Sequence, residues 1–565
     1  MRRHLIGVIL AVLLVAPALG QPLADRVPND ALVYIGWRGG SDVPAQYADS
    51  HLKAVLDNCK IRELFSQFLP QAVARFSASN PQARQPLETM QYILSQVWSH
   101  PTAFYFAGVA INTPQPMPKL AIICQAGTDA AAIQQRIQTL LDSSGEPTPI
   151  RCFVADDFVI VAIGYMQAAD AMAVPGSGLA TSSSFTTAMK QVQADPVFAA
   201  YVDVEKVLDI VESMAQLSPD EQAREKVPKA IDALGLRGLK RIVCTSGFDG
   251  KDWMSQTFVD APSPRTGLLE MLDAAPISPD LLKSIPADST FVATMRFDAA
   301  KLITKIREAA GQVDPRAQQI VDMATGAVQV ALAKNPLTDV LQPLGEDWAI
   351  YCSPSVAGNG ALEIVGVNHL NDPAKAQASL PTASINLSNW IAVALAHERS
   401  QVTITEKSTQ IDGQRIYYFG LPIVAPAWTI NNGNLYFGLY PQTAAAAARW
   451  TTLNQPSILD NEKFVALQKR LGVSNACSVS FYDLPATISN GAVYQQWLVI
   501  DRYCGFGDLF GLTLPEPLLP MMNILQQHLS PAGSAAWVDA AGYHSKSISP
   551  FPGSTLLSEP GMLTC

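Results

Sequence analysis

Charge is scarce in this sequence: 16% of its 565 residues are Asp, Glu, Lys or Arg, against about 25% in an average soluble protein. The 39 basic residues are outnumbered by 49 acidic ones, for a formal charge of −10. That balance argues against nucleic acid as a partner, because phosphate binding needs clustered Lys and Arg. Cysteine is sparse as well, eight in all, too few for a disulfide scaffold in a chain of this length. Histidine is scarcer still, with seven residues of which no two stand within one helical turn, and no Cys-x-x-Cys occurs, so there is no local zinc or redox motif. Long apolar runs are missing after the N-terminus, where no unbroken apolar stretch reaches the ~20 residues that span a bilayer. The nearest, Gly505 to Leu529, is broken by Asp508, Glu516, Pro515, Pro517 and Pro520 and reads as a buried irregular segment leading into a helix.

What remains is an apolar chain, 48% hydrophobic, with length for several domains or for two large ones, each burying a full core. It opens with the basic Met1-Arg2-Arg3-His4, an apolar run Leu5 to Val15, and Ala16-Pro17-Ala18-Leu19-Gly20-Gln21. This is the three-part pattern of a secretory signal, with the small Ala18 and Gly20 placed for cleavage before Gln21. Residues 1–20 are therefore expected to be removed on export, leaving the protein periplasmic or extracellular, without a membrane span. Such a compartment permits disulfides. Cys124 and Cys152 fall in strand-like segments, Lys119 to Gly127 and Ile150 to Asp156, and a bridge is open to them if those strands pair.

The most informative feature is a long-range internal repeat. Val27-Pro28-Asn29-Asp30 and the strand that follows match Ile285-Pro286-Ala287-Asp288 and its strand. In the same order Ala103-Phe104-Tyr105 matches Ala349-Ile350-Tyr351, and the hairpin Cys152 to Tyr165 matches Trp428 to Pro441. Phe185 to Val204 then matches Phe464 to Leu484, and Pro262-x-Pro264 with Leu268-Leu269 matches Pro550-x-Pro552 with Leu556-Leu557. The offset grows most between the second and third matches, where the second half carries an extra hairpin, Gln401 to Leu421, centred on Asp412-Gly413.

Within each half, Asp249-Gly250, Asp412-Gly413 and Asn432-Gly433 sit between Val-, Ile-, Tyr-, Phe- and Trp-rich runs, the signature of tight antiparallel hairpins. Helical periodicity marks His51 to Phe76, Leu87 to Val97, Asp129 to Leu141, Asp298 to Ala310 and Asn461 to Leu471, and Ser184 is placed to cap a helix beginning at Phe185. Strand runs without regular βαβ alternation predict an α+β fold, with antiparallel sheet and packed helices in each of two tandem repeated units. The prolines of Ala261-Pro262-Ser263-Pro264 and Ala275-Pro276-Ile277-Ser278-Pro279 interrupt both ladders and helices. They divide the chain into a first unit at 21–262, a linker at 263–284 and a second unit at 285–565.

Three segments carry a family resemblance: Val27-Pro28-x-Asp30-Ala31-Leu32-Val33-Tyr34-x-Gly36-Trp37, Leu234-Gly235-Leu236-x-Gly238-Leu239-Lys240 leading to Thr245-Ser246-Gly247-Phe248-Asp249-Gly250, and Ala261-Pro262-x-Pro264-Arg265-x-Gly267-Leu268-Leu269. Together they resemble a family of exported bacterial proteins of unknown function, common in planctomycete-type genomes. The resemblance covers chiefly the first half and implies export, with no activity and no catalytic residues to carry over.

Catalytic motifs are not found. There is no Gly-x-Ser-x-Gly elbow, and His397-Glu398 lacks a second His one turn on. Ser50-His51-Leu52-Lys53 has the letters of a serine acyl-enzyme motif, but Asp49-Ser50 reads better as a helix cap. Asp249-Gly250-Lys251-Asp252 lacks the alternating oxygens of a calcium loop and reads as a hairpin turn. Gly505 to Gly511 lacks the lysine and the strand–helix context of a phosphate loop. No catalytic, cofactor-binding or metal residue is assigned. The segment that could act as a contact loop is Trp37-Arg38-Gly39-Gly40, where glycines allow close approach, Arg offers a fork and Trp an anchor.

The expectation is an exported, non-catalytic protein that binds or scaffolds an envelope protein or an apolar small molecule. Its rival is an exported hydrolase whose active site assembles at the junction of the two units.

Overall fold

A computed structural model describes residues 23–59, 84–110, 117–143, 149–192, 195–358, 361–397, 405–421, 424–488 and 521–557. The apolar, β-branched and aromatic runs form strands. In the first half these are β1 Val33–Trp37, β2 Thr102–Ala110, β3 Met117–Gln125, β4 Ile150–Ala155, β5 Phe158–Ile163, β6 Phe198–Asp203, β7 Arg241–Asp249 and β8 Asp252–Asp260. The second half forms β9 Phe291–Arg296, β10 Asp347–Cys352, β11 Val365–His369, β12 Glu406–Ile411, β13 Gln414–Phe419, β14 Ala427–Asn431, β15 Asn434–Gly438, β16 Ser478–Tyr482, β17 Ala532–Val538 and β18 Gly542–Ser549. With the helices between them these make the mixed, antiparallel α+β fold that the hairpin signals predict.

The first eight strands lie side by side in the order β4-β5-β3-β2-β1-β6-β7-β8. The rest follow the order β12-β13-β14-β15-β11-β10-β9-β16-β17-β18. The expected separate sheets are in fact one, because β8 pairs along its length with β18, from Asp260↔Gly542 to Trp253↔Ser549. The physical reason is edge satisfaction: each of these strands would otherwise present a row of bare N–H and C=O groups. The hairpin β12–β13 occupies the outer edge of the second half, where the sequence carries its extra segment.

Registers in the two halves can be set side by side. Tyr34 faces Tyr105 on one side and Tyr201 on the other; Val292 faces Tyr351 and Phe481. Phe185 stands edge-on to Tyr201 at 5.1 Å and Phe464 edge-on to Phe481 at 5.7 Å. The bridge Pro28↔Gly178 closes the start of the first half, and Pro286↔Ser457 that of the second. Each half has its own apolar cluster on this face of the sheet, one around Tyr34, Tyr105, Ile123 and Ile160, the other around Tyr351, Val367, Tyr436 and Phe481.

The expected helices over 87–97, 129–141, 298–310 and 461–471 are present as Arg84–Ser99, Ala130–Ser143, Ala299–Val313 and Glu462–Leu471. Asp298 and Asn461 cap the last two by accepting from Lys301 N at 2.8 Å and Phe464 N at 3.0 Å. The helix expected from His51 runs over His51–Asn58; residues 60–83 lie outside the described ones. Ser184 is not the cap: that helix spans Ser183–Met189 with Ser182 before it and no hydroxyl reaching back, since three consecutive serines leave the start ambiguous. Among the described residues no helix is long and apolar enough to cross a membrane.

The Cys124–Cys152 bridge is overturned. Strand β5 lies between β3 and β4, so Cys124 faces Val159 and Cys152 faces Val161, and both are free thiols. The tight turn after β4 places β5 against it and leaves the other edge of β5 to β3. Cys504 and Cys565 lie outside the described residues, as do Gly505 to Gly511 and residues 1–22.

Candidate functional site

Where β8 meets β18, one register line carries five serines on five adjacent strands. Ser246 of β7 faces Ser255 of β8, which faces Ser547 of β18, then Ser534 of β17 and Ser480 of β16. Directly paired residues of an antiparallel sheet share a face, so the five hydroxyls form a continuous row of roughly 19 Å at the usual strand spacing. Two dyads are closed, Ser246 to Ser255 and Ser480 to Ser534, each with oxygens 2.8 Å apart. Between them the Ser547 hydroxyl makes no hydrogen bond to another described residue. One step along the strands, Thr257 faces Ser545, adding two more hydroxyls to the same face.

This row is the floor of a cleft of about 480 Å³, within the range of small-molecule sites. Phe198 closes the end belonging to the first half, Tyr482 the end belonging to the second, and Trp253 lies beside them. Trp253 is fixed edge-on to Phe248 at 5.2 Å, and Tyr482 packs on Phe291 at 5.0 Å. Every described lining residue is uncharged. At Gly533, on the same wall, a Cβ would come within 2.2 Å of the Ser480 carbonyl oxygen, so glycine is what lets β17 approach β16 here.

Beside Trp253 the two halves are also joined by an ionic cluster around the buried Asp252. Asp252, 5% exposed, accepts from Arg470 Nη1 at 2.6 Å and from Ser530 Oγ at 2.7 Å, both second-half residues. Arg470 also pairs with Asp249 at 3.1 Å. Burial opposes the Arg470 charge, but the two carboxylates outweigh it and raise its pKa. His51 Nε2 lies 3.7 Å from Asp252 Oδ1. Burial lowers the His51 pKa, with His528, Lys251 and Arg470 adding to the effect and Asp252 opposing it.

No known protein family, curated protein or solved structure matches this chain significantly.

The cluster holds a serine, a carboxylate and a histidine, but Ser530 donates to the carboxylate and not to the imidazole. A nucleophilic serine needs the base as its direct partner. Among the described residues no group of three His, Cys, Asp or Glu is arranged to hold a metal ion.

The sequence-derived candidates fall elsewhere. Trp37 is buried and donates from Nε1 to the Val97 carbonyl at 3.0 Å. Buried Arg38 pairs with Asp195, and Gly40 N donates to Trp98 O at 2.9 Å. Gly39 adopts φ +80°, with the His100 backbone 2.3 Å from where a Cβ would stand. The loop thus ties the end of β1 to the end of helix Arg84–Ser99. Trp37 faces Phe198 in the register, which puts it one strand beyond the cleft wall. Ser50 caps helix His51–Asn58, accepting from Lys53 N at 3.1 Å, while Lys53 pairs with Asp57. Asp249 to Asp252 form the β7–β8 turn, with Gly250 at φ +65°.

The serine row escaped the sequence reading because its members span 301 positions and each is unremarkable in its own strand. A signal does exist: Ser545-Lys546-Ser547-Ile548-Ser549 and Ser478-Val479-Ser480 alternate serine with other residues at the strand period, marking one hydroxyl-bearing face.

Proposed function

We propose that the chain is an exported, non-catalytic binding protein of the cell envelope, built from two copies of one α+β unit, with the hydroxyl-floored cleft between the copies as its ligand site. The observation that carries this reading is the serine row, which starts on β7 of one half and ends on β16 of the other without a break. Neither half alone holds the row.

Duplication is supported by strand order and register. Reading from the junction outward, β8-β7-β6-β1-β2-β3-β5-β4 corresponds to β18-β17-β16-β9-β10-β11-β15-β14, with β12–β13 as an addition. The pairs Phe185–Tyr201 and Phe464–Phe481 occupy the same place in each. Export rests on the signal pattern of residues 1–20 and on the resemblance to exported bacterial proteins. The uncharged hydroxyl lining favours a polar ligand over the apolar one expected from composition.

The rival reading, a hydrolase at the junction, draws on the convergence of Ser530, Asp252 and His51. Its weakness is that the carboxylate stands between the serine and the histidine.

Native mass spectrometry of the processed chain isolated from its own envelope tests the proposal. The expected result is a noncovalent mass that is released on denaturation and missing from a Ser547→Leu variant of equal stability. A bare chain, or a bound mass indifferent to Ser547→Leu, would overturn the cleft as the ligand site.

A further inference from the structure

We infer that the ligand of the junction cleft is an uncharged, hydroxyl-rich molecule of the oligosaccharide class; this rests on the cleft being the chain's ligand site. The chemistry of the lining removes the other classes in turn. An anion needs cationic side chains or bare backbone N–H groups, and no Lys or Arg lines the cleft among the described residues. Arg470, which pairs with the neighbour of the lining Trp253, is held by Asp252 and Asp249. A cation needs carboxylates, and no described Asp or Glu lines it. A hydrocarbon would have to cover the hydroxyls of the floor, stripping water from Ser547, whose hydroxyl has no described partner, and from the second hydrogen of each dyad, which is unfavourable.

The hydroxyls are instead suited to partners like themselves. A serine hydroxyl both donates and accepts, and its hydrogen rotates to suit. In each closed dyad one hydroxyl donates to the other, which keeps its own hydrogen for a ligand. The hydroxyl of Ser547, at the middle of the row, makes no hydrogen bond to a described residue, so both its donor and its acceptor capacity are open to the cleft. The row runs across the strands and not along them: the backbones stand about 4.8 Å apart, and the hydroxyls gather into two dyads with Ser547 between them, a set of donors and acceptors that a chain of rings with hydroxyls along its edge can meet. Phe198 and Tyr482 at the two ends supply apolar surface for the carbon faces of such rings. Placed polar groups on an aromatic-walled cleft are the usual composition of a site for a neutral polar ligand.

The test is calorimetric titration of the processed chain with cellohexaose, maltohexaose and chitohexaose, alongside hexagalacturonate as a charged probe and palmitate as an apolar one. The expected result is binding of a neutral hexasaccharide, weakened about tenfold or more in Ser547→Leu and restored in Ser547→Thr, which keeps the hydroxyl. Ser534→Ala, which shortens the row without adding bulk, should weaken the same titration severalfold and serves if the leucine variant does not fold. Binding of hexagalacturonate or palmitate alone, abolished by Ser547→Leu, would overturn the ligand class while leaving the cleft as the site. Failure of all three neutral probes, or neutral binding indifferent to Ser547→Leu and Ser534→Ala, would overturn the inference itself.

Discussion

Ser255 of β8 and Ser547 of β18 stand directly opposite each other, and the line between them is where the first half of the chain meets the second. The same pairing does two things. It satisfies two strand edges that would otherwise be bare, and it brings the dyads Ser246–Ser255 and Ser480–Ser534 into one row.

The buried Asp252 carboxylate is held chiefly by Arg470, from the other half. Removing that partner leaves Ser530 as its remaining close donor. Loss of a hydrogen bond to a charged group costs about 1.5–3 kcal/mol, and the partial exposure of Arg470 places Arg470→Gln near the lower end. Urea denaturation should show a loss of about 1.5 kcal/mol. A change below about 0.5 kcal/mol would mean that the cluster does not hold the junction.

His51 makes stability depend on pH near neutrality. Burial, together with nearby His528, Lys251 and Arg470, holds its pKa below the ordinary 6.5. Between the folded value and 6.5 the unfolded chain therefore binds more protons, and stability rises with pH through that window. The melting temperature should fall as pH is lowered from 7.5 to 5.5, and His51→Gln should flatten that fall. Carboxylates with lowered values, such as Asp314 and Asp322, act only further toward acid. An equal slope in wild type and His51→Gln would contradict the assignment.

Phe185 and Phe464 each stand edge-on to a fully buried ring, Tyr201 and Phe481, and the proposed duplication makes the two positions equivalent. Truncating a buried Phe to Ala costs about 3–5 kcal/mol. Phe185→Ala and Phe464→Ala should each reach that range in thermal or chemical unfolding. A cost below about 1 kcal/mol at either site would show that the two positions are not equivalent.

Burial pushes the Cys124 thiol up to about 11, with the Thr102 hydroxyl partly offsetting it, and the Cys152 thiol up to about 12. Thiolate is the reactive form, so both should resist iodoacetamide at pH 7.5 until the chain is unfolded. Rapid native labelling, or a peptide linking Cys124 to Cys152, would contradict the strand order around β5.

Local chemistry was legible in the sequence. Asp412-Gly413 and Asn432-Gly433 adopt the positive φ values that hairpin turns require, and Asn461 caps the helix assigned to it. The helices Val204–Leu217, Glu221–Ala233, Pro315–Leu332 and Pro373–His397 were missed; in the second and fourth an internal proline, Pro228 and Pro381, breaks the periodic pattern by which helices are recognised. The site was hidden for a different reason. Register across the β8–β18 pairing is a tertiary fact, so nothing near Ser255 in the chain announces Ser547. The loop at Trp37 drew attention because its residue types suit binding, yet Trp37 and Arg38 are spent on fixing the end of β1, through the Val97 carbonyl and Asp195.

The measurement closest to the central claim is hydrogen exchange followed peptide by peptide, with and without saturating cellohexaose or whichever neutral hexasaccharide binds. The expected result is slowed exchange in residues 241–260 of the first half and in 478–482 and 532–549 of the second, together. Slowing confined to one half, or to a region away from these strands, would contradict a single site built by both.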